Sequence, residues 1–366
     1  MCLSDIRHIS IYIKLVGMAP SSSSPSRSPS SAAPTKIPYS NDVHTPNPED
    51  ALWRMETIPG KGKGVIATRD ISPGTLILSD PPLITTAVIQ SIETTEQDLA
   101  RALRALPKDS QRAFLSLHNN HRGEKNPLSN IVRSNGYPLG PGSDVGAVFA
   151  HVSRFNHSCV PNAKHAWNAA LGHQTVYAIR PVAAGQEITL SYLHGGTFEE
   201  RQRELSSLFG FTCACELCSL RESARAASDA RLERARELND AMGDYCACRS
   251  SPGRVLALGR ELVRVYRAED VVAGDDRLAN VYWDLFQVCA MHGDGARARA
   301  FAGEYAALKR AGEGPLSAAA AEGEEVARRP DGHAGFGKTR QWASSVEDVP
   351  KGLGKEGFEK WMFREV

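Results

Sequence analysis

Cys213-Ala214-Cys215-Glu216-Leu217-Cys218 sets three thiols within six residues. That spacing suits tetrahedral Zn2+ held by thiolates but leaves the ion one ligand short. Cys159, 54 residues upstream in the run Asn156-His157-Ser158-Cys159-Val160-Pro161-Asn162, is the leading candidate for the fourth. A structural site of four cysteines contributes on the order of 10 kcal/mol to folding, enough to tie a distant loop to this segment. Eight cysteines in 366 residues are too few for a disulfide-dense secreted scaffold, so a metal in a reducing compartment is the expectation. Cys246 and Cys248 have no neighbouring His or Cys to complete a second site and are read as incidental.

A second pattern is Lys61-Gly62-Lys63-Gly64. Glycines let the backbone approach a ligand closely. Taken alone the run is weak: it carries only part of the dinucleotide fingerprint and lacks the terminal Gly-Lys-Ser/Thr of a phosphate loop. A solvated turn explains the lysines nearly as well.

The chain must also supply elements that bring these segments together. At about 150 residues per domain, 366 residues predict two domains and a tail. Lys plus Arg number 43 against 42 Asp plus Glu, a net charge of +1, so no overall field favours nucleic acid or acidic lipid. The charged helix around 231–237 mixes both signs, and no direct nucleic-acid binding is expected. No stretch reaches the ~20 apolar residues of a membrane span, and none is expected. The first 18 residues have a short apolar run broken by Ser10 and Lys14, without a convincing cleavage site. Met1 and Met18 are both candidate starts.

Residues 1–50 are expected to form a disordered leader, because the Ser/Pro-rich part from 19 onward has almost nothing to bury. From Trp53 the pattern turns β-like: a run at 64–68, a turn at Ser72-Pro73-Gly74 and a second run at 75–80. Ala67, Arg69, Ile71, Gly74 and Ile77 are echoed 111 positions later by Ala178, Arg180, Val182, Gly185 and Ile188. The echo predicts two β-hairpins built on the same turn chemistry, one at each end of a single β-rich domain. Leu99, Leu103, Leu106, Phe114 and Leu117 predict a helical insertion. After Cys218 an Ala/Arg/Leu/Glu-rich composition predicts helices near 221–242, 253–268, 276–292 and 294–312, paired as antiparallel hairpins of tetratricopeptide-like kind. The stretch 313–345 reads as loose, and Phe358, Trp361, Met362 and Phe363 as a terminal segment that docks back. The expected domains are thus 51–220, with an insertion at about 90–140 and a cysteine module at 211–218; an α-helical domain at 221–312; and a linker with docking segment at 313–366.

Several separated motifs, in order over roughly residues 53–220, resemble the SET-domain protein lysine methyltransferases, and within them the SMYD-like branch. Lys61-Gly62-Lys63-Gly64 resembles the family's cofactor loop. Arg154-Phe155-Asn156-His157-Ser158-Cys159 resembles its Asn-His-Ser-Cys segment. Residues 185–192, from Gly185 through Ser191-Tyr192, resemble the strand that ends in the catalytic tyrosine, and 211–218 resemble the post-SET zinc module. Two departures stand out: no MYND-type finger interrupts the domain, which removes a partner-binding module, and Gln186 replaces an acidic residue.

The resemblance implies an α+β fold: a β-rich SET domain of small, mostly antiparallel sheets around a threaded segment, followed by the helical domain. It implies S-adenosyl-L-methionine as methyl donor and Zn2+ held by Cys159, Cys213, Cys215 and Cys218. Tyr192 and Phe211 are implied as catalytic, the first orienting the methyl group, the second lining the lysine channel. Lys61, Gly62, Lys63, Gly64, Asn135, Ser153, Asn156 and His157, with Tyr192 and Phe211, are implied as cofactor-binding. The partner is a protein substrate, histone or nonhistone, in nucleus or cytoplasm. Chemistry agrees with the need: free lysine, with a pKa near 10.4, must lose its proton before it attacks a methyl group, and a narrow apolar channel favours that loss. The competing account is a catalytically weak SET-fold zinc scaffold for protein–protein interaction.

Overall fold

The computed structural model describes residues 51–365; the expected leader and the choice of start lie outside them. Among the described residues ten strands form three small sheets. β1 (Trp53–Ile58), β2 (Gly62–Ala67), β10 (Glu187–Leu190) and β7 (Asn156–His157) make the first, in the order β1-β2-β10-β7. β3 (Leu76–Asp80), β9 (His173–Ala178) and β8 (Ala163–Asn168) make the second, and β4 (Pro82–Thr85), β6 (Gly146–Phe149) and β5 (Gly136–Pro138) the third. Their buried faces meet in a core of Val65, Ile71, Phe149, Phe155, Val176, Val182, Ile188 and Leu190.

The repeated segments are not two hairpins. They are two arches that cross and pair with each other, antiparallel, from Val65 opposite Ile188, through the bridge Ile71–Val182, to Leu76 opposite Tyr177. Each arch turns on a glycine with positive φ, Gly74 at 82° and Gly185 at 81°, closed by Thr75 N–H to Ser72 O and Gln186 N–H to Ala183 O. A Gly at the third turn position is what a type II turn requires. These turns shift the chain from one sheet to the next instead of folding it back, so each arch finds its hydrogen bonds in the other: Gly74 N–H to Ala178 O and Gly185 N–H to Ala67 O.

Three helices form the insertion: α1 (Thr95–Ala105), α2 (Lys108–Leu115) and α3 (Pro127–Asn135). Leu99, Leu103, Phe114, Leu117, Ile131 and Val132 pack against Leu83 and Val148. Glu96 in α1 accepts the backbone N–H groups of Leu128 and Ser129. A carboxylate at a helix N-terminus also suits the helix dipole, and here it seats α3.

A helix the sequence reading did not include, α4 (Phe198–Phe209), follows β10. Thr197 and Glu200 form a capping box at its start, and Gly210, with φ 73°, closes its end. The helical region then runs through α5 (Glu222–Met242), α6 (Tyr245–Ser250), α7 (Pro252–Ala268), α8 (Asp276–Met291), α9 (Gly295–Glu313), α10 (Ala318–Arg328) and α11 (Lys355–Met362). Val255, Leu262, Tyr282, Leu285, Phe286 and Phe301 share one core, into which the terminal Met362 and Phe363 insert. The stretch 313–345 is a correction: α10 lies in it, and Gly337, Thr339 and Trp342 donate backbone hydrogen bonds to the carbonyls of Ala290, Met291 and His292. Its glycines and charges made it look loose, but these carbonyls sit at the end of α8, where a helix leaves acceptors unpaired.

The helical region is bonded to the β-rich one. Lys164 of β8 reaches Asp276 at 2.6 Å and Glu313 at 3.2 Å, and Arg180 pairs with Asp270. Gly314 has φ 83°, and a Cβ there lies 2.1 Å from the Tyr177 ring of β9. Gly314→Ala is therefore expected to lose about 2–4 kcal/mol, from the left-handed backbone and the overlap together. Gly303→Ala inside α9, the helix that Gly314 follows, with open space around its Cβ, is the control and should be neutral or slightly stabilising. Urea denaturation of the two variants checks this.

His165 of β8 bonds through Nδ1 to Gln174 at 2.7 Å and stands edge-on to Tyr137, with ring centroids 4.8 Å apart. Burial, reinforced by the neighbouring Lys164 charge, pushes its pKa down from 6.5 to about 4. The unfolded chain thus binds the extra proton first, and the contribution of His165 to stability is complete above about pH 6.5 and shrinks as pH falls toward 4. His165→Asn should show a smaller drop in unfolding midpoint between pH 7.5 and pH 5 than the wild type; an identical drop removes His165 as a source.

Candidate active site and metal centre

The parallel pairing of β10 with β7 positions the site. β10 runs beside β7 with Thr189 opposite Asn156 and Leu190 opposite His157, so the chain leaving β10 brings Tyr192 alongside the Asn-His-Ser-Cys segment. Asn162 secures the junction: it accepts from Thr189 N–H at 2.9 Å and donates to Glu187 O at 2.9 Å.

Cys159, Cys213, Cys215 and Cys218 converge, their sulfurs all within 4.8 Å of one another. Cys159 Sγ is 3.9 Å from Cys213 Sγ and 3.6 Å from Cys218 Sγ. Four sulfurs at 2.3 Å from a tetrahedral Zn2+ lie about 3.8 Å apart, so the donor set and its spacing fit that ion. The four thiols are free of disulfides. Hydrogen bonds from the other three hold the Cys215 thiol well below its ordinary range, and the same crowding pushes Cys159 up. A divalent cation at this position would hold all four sulfurs as thiolates.

α4 supports this cluster. Gln202 clamps the Cys213 backbone from both sides, donating to Cys213 O at 2.8 Å and accepting from Cys213 N–H at 2.9 Å. Arg201 is 3% exposed, donates to Gly196 O and lies 4.0 Å from Cys218 Sγ. A buried guanidinium is costly unless an anion offsets it, and four thiolates around one divalent ion carry a net charge of about −2. The capping box that starts α4 was the readable signal for both residues.

Tyr192 sits between this cluster and the strand ends. Its hydroxyl donates to Phe155 O at 2.7 Å. Its ring lies 4.9 Å from Phe209, 5.3 Å from His157 and 6.5 Å from Phe211, centroid to centroid. Phe209, the last residue of α4, was not among the sequence candidates although it is nearer Tyr192 than Phe211 is. His157 is buried, which pushes its imidazole pKa down to about 4.

On the other side of β7, the amide of Asn156 donates to Lys63 O at 3.2 Å and to Glu187 at 2.8 Å. A Cβ on Gly64 meets this amide at 2.7 Å and Ile58 at 2.3 Å, so the close passage of the β1–β2 hairpin needs glycine at 64. Gly62 has φ 74° and open space around it. The Lys61 ammonium is taken by Glu187 at 2.7 Å, whereas no ion pair is found for Lys63 among the described residues. Asn135 and Ser153 have different surroundings. The Asn135 amide donates to His118 O and Ile131 O, and Ser153 donates to Asn135 O at 3.2 Å. They join the insertion to the segment leading into β7.

Small crossed sheets, a threaded Asn-His-Ser-Cys segment and a following cysteine module define a SET domain, and the SET domain family matches residues 62–193. Among curated proteins, the histone-lysine N-methyltransferase set5 of Schizosaccharomyces pombe is 33% identical over 257 residues, which cover 69% of this chain and 76% of that protein. Shorter matches are the histone-lysine N-methyltransferase SMYD3 of Mus musculus, 34% identical over 76 residues (20% of this chain, 17% of that one), and the protein-lysine N-methyltransferase SMYD4 of Mus musculus, 39% identical over 92 residues (24% of this chain, 11% of that one). The chain belongs to the SET-domain family and is a lysine methyltransferase. Among the described residues no helix is long and apolar enough to cross a membrane.

Proposed function

We propose that the chain transfers a methyl group from S-adenosyl-L-methionine to the ε-amine of a lysine in a protein substrate, that the substrate is a histone, as the names of the set5 and SMYD3 relatives state for those proteins, and that it acts in the nucleus. One observation carries the reading: His157 contacts both Tyr192 and the Cys159 thiol, beside the Asn156 amide that holds the Lys61–Gly64 hairpin.

When bound, the cofactor supplies a methyl group on a positively charged sulfur. Gly62 and Gly64 leave the hairpin backbone open to it, Lys63 offers an ammonium for its carboxylate, and Asn156 fixes the hairpin at that distance. The main chain of Asn156 and His157 and the ring of Phe211 are the remaining candidates to hold it, with Asn135 and Ser153 shaping the insertion side. The Tyr192 hydroxyl spends its proton on Phe155 O, so its lone pairs remain to face the methyl group and to stabilise positive charge there. The rings of Tyr192, Phe209 and Phe211 form an apolar, electron-rich wall, which desolvates an incoming ammonium and favours its neutral form. In-line placement of amine and methyl group supplies the rest of the acceleration. Zn2+ on Cys159, Cys213, Cys215 and Cys218 holds the wall in place. The domains proposed are 51–220 for catalysis and the helical region for one side of the substrate cleft.

The test is incubation of the full chain with methyl-labelled cofactor and core histones, followed by mass spectrometry. Labelled lysine in a histone is the expected result. Label on other proteins of an extract moves the assignment to a nonhistone substrate, and bound cofactor with no labelled protein favours the scaffold.

A further inference from the structure

Among the described residues β1 lies at the outer edge of its sheet and pairs with β2 on one side only. Hydrogen bonds at its start settle which backbone groups face outward. Thr68 N–H donates to Leu52 O, which continues the β1–β2 register by one residue, and on the far side of β2 Ala67 N–H donates to Gln186 O. Residues of an antiparallel pair alternate between hydrogen-bonded and non-hydrogen-bonded positions. Arg54 and Glu56, like Leu52, therefore turn their N–H and C=O groups toward β2. Those of Trp53, Met55 and Thr57 point the other way, to the open edge.

An exposed edge is normally blunted by a bulge, a proline or an isolated charge. The register of β1 with β2 runs without a shift from Trp53 to Ile58, and proline first occurs at Pro59, beyond the strand. Its two charges, Arg54 and Glu56, are exposed and paired with each other at 2.5 Å, so the edge is neutral. Met55, between them and directed to the opposite face, is 49% exposed.

A second copy laid antiparallel against β1 must set outward-facing residues opposite one another, so its two-fold axis passes through a residue. With the axis at Arg54 or at Glu56, that charge stands opposite its own copy, which is destabilising. With the axis at Met55, Arg54 stands opposite Glu56 of the second copy, and Glu56 opposite Arg54 of the second copy. These are non-hydrogen-bonded positions, where side chains come closest. Met55 then bonds to its own counterpart, and Trp53 to Thr57 across the axis. An axis nearer either end of the strand loses both the charge pairs and backbone bonds.

We propose that the chain self-associates through β1, two copies pairing antiparallel about Met55 so that their two four-stranded sheets join into one. A contact of one strand on one strand falls short of the ~1,200 Å2 of a stable specific interface, so the dimer is transient and forms as concentration rises. The inference is independent of the reaction assigned above.

Sedimentation velocity of the full chain over a rising concentration series reads the association. Reducing conditions keep the exposed Cys246 from crosslinking, and a thermal melt confirms that each variant is folded. Wild type should pass from monomer to dimer. Arg54→Glu and Glu56→Arg each set like charges opposite one another in their own pair, so each should raise the dissociation constant at least about tenfold. An equimolar mixture of these two variants should associate as wild type does, because one strand is then acidic at both positions and the other basic. Met55→Pro removes an outward N–H that β2 does not use, and should give a folded chain that stays monomeric. A wild type that stays monomeric throughout overturns the proposal, and is the outcome if another part of the chain covers β1. So does a dimer that the charge variants form as readily as wild type, or a mixture that associates no better than its components. The measurement needs neither cofactor nor turnover, so its failure is distinct from failure of the methyl-transfer reading.

Discussion

Tyr192→Phe keeps the fold and the cofactor affinity and loses methyl transfer by about 10²–10³-fold, the usual scale for removing one preorganised polar group from a charge-developing site. The ring contacts with Phe209 and His157 survive the substitution, since they involve the aromatic body and not the oxygen. What disappears is the hydroxyl that donates to Phe155 O and that the proposed function assigns to the methyl group. The loss should therefore fall on kcat, not on the KM for substrate, because an interaction that strengthens in the transition state contributes little to ground-state binding. Steady-state kinetics with labelled cofactor, beside calorimetric cofactor binding and a thermal melt, separates these cases. A variant with kcat within a few-fold of wild type removes Tyr192 from the chemistry.

Cys213→Ser has the second large effect. Serine keeps the size of the side chain but is a poor ligand for a thiophilic ion, and Cys213 is buried at a backbone clamped by Gln202. The variant should hold less than one zinc per chain and lose about 3–5 kcal/mol, which lowers the thermal midpoint by about 10 °C for a domain of this size. Cys246→Ser serves as control: Cys246 is exposed and outside the cluster, so metal content and midpoint should both stay unchanged. Elemental analysis and calorimetry read the two quantities. Equal zinc content in Cys213→Ser and wild type contradicts the assignment.

Much of this site was legible because its chemistry is local in sequence. Three thiols within six residues declare a metal site whatever surrounds them, and Cys159 joins them in space as its motif implied. Four of the helices from Glu222 onward, α5, α7, α8 and α9, were readable from composition, to within a residue or so at each end, whereas α6 and α10 were not. What was not legible depends on pairing between distant strands. The echo between 67–77 and 178–188 was visible, but nothing in a sequence states that the two copies pair with each other across Ile71 and Val182. Antiparallel hairpins were the simpler local solution, and they lost because each type II turn sends the chain onward to another sheet.

The supporting residues were harder still. Arg201, Gln202 and Phe209 all lie on α4, whose Thr197–Glu200 capping box and terminal Gly210 were present in the sequence and went unread beside the stronger cysteine signal. Glu187 occupies the Lys61 ammonium, a partner chosen 126 residues away by the close approach of β2 and β10. Similarly, Asn135 was assigned by motif alone, yet its amide is satisfied by His118 O and Ile131 O. A motif places a residue near a site; only the surrounding donors and acceptors decide which of its atoms are left to act.

The most direct measurement is cofactor affinity of the full chain by calorimetry, before chelation, after zinc is stripped, and after zinc is returned. If the thiolate cluster holds together the walls on which donor and lysine meet, binding of S-adenosyl-L-methionine is strong in the zinc-loaded chain, weakened at least about tenfold when the metal is removed, and recovered on its return. Undiminished binding by stripped, still folded protein contradicts it.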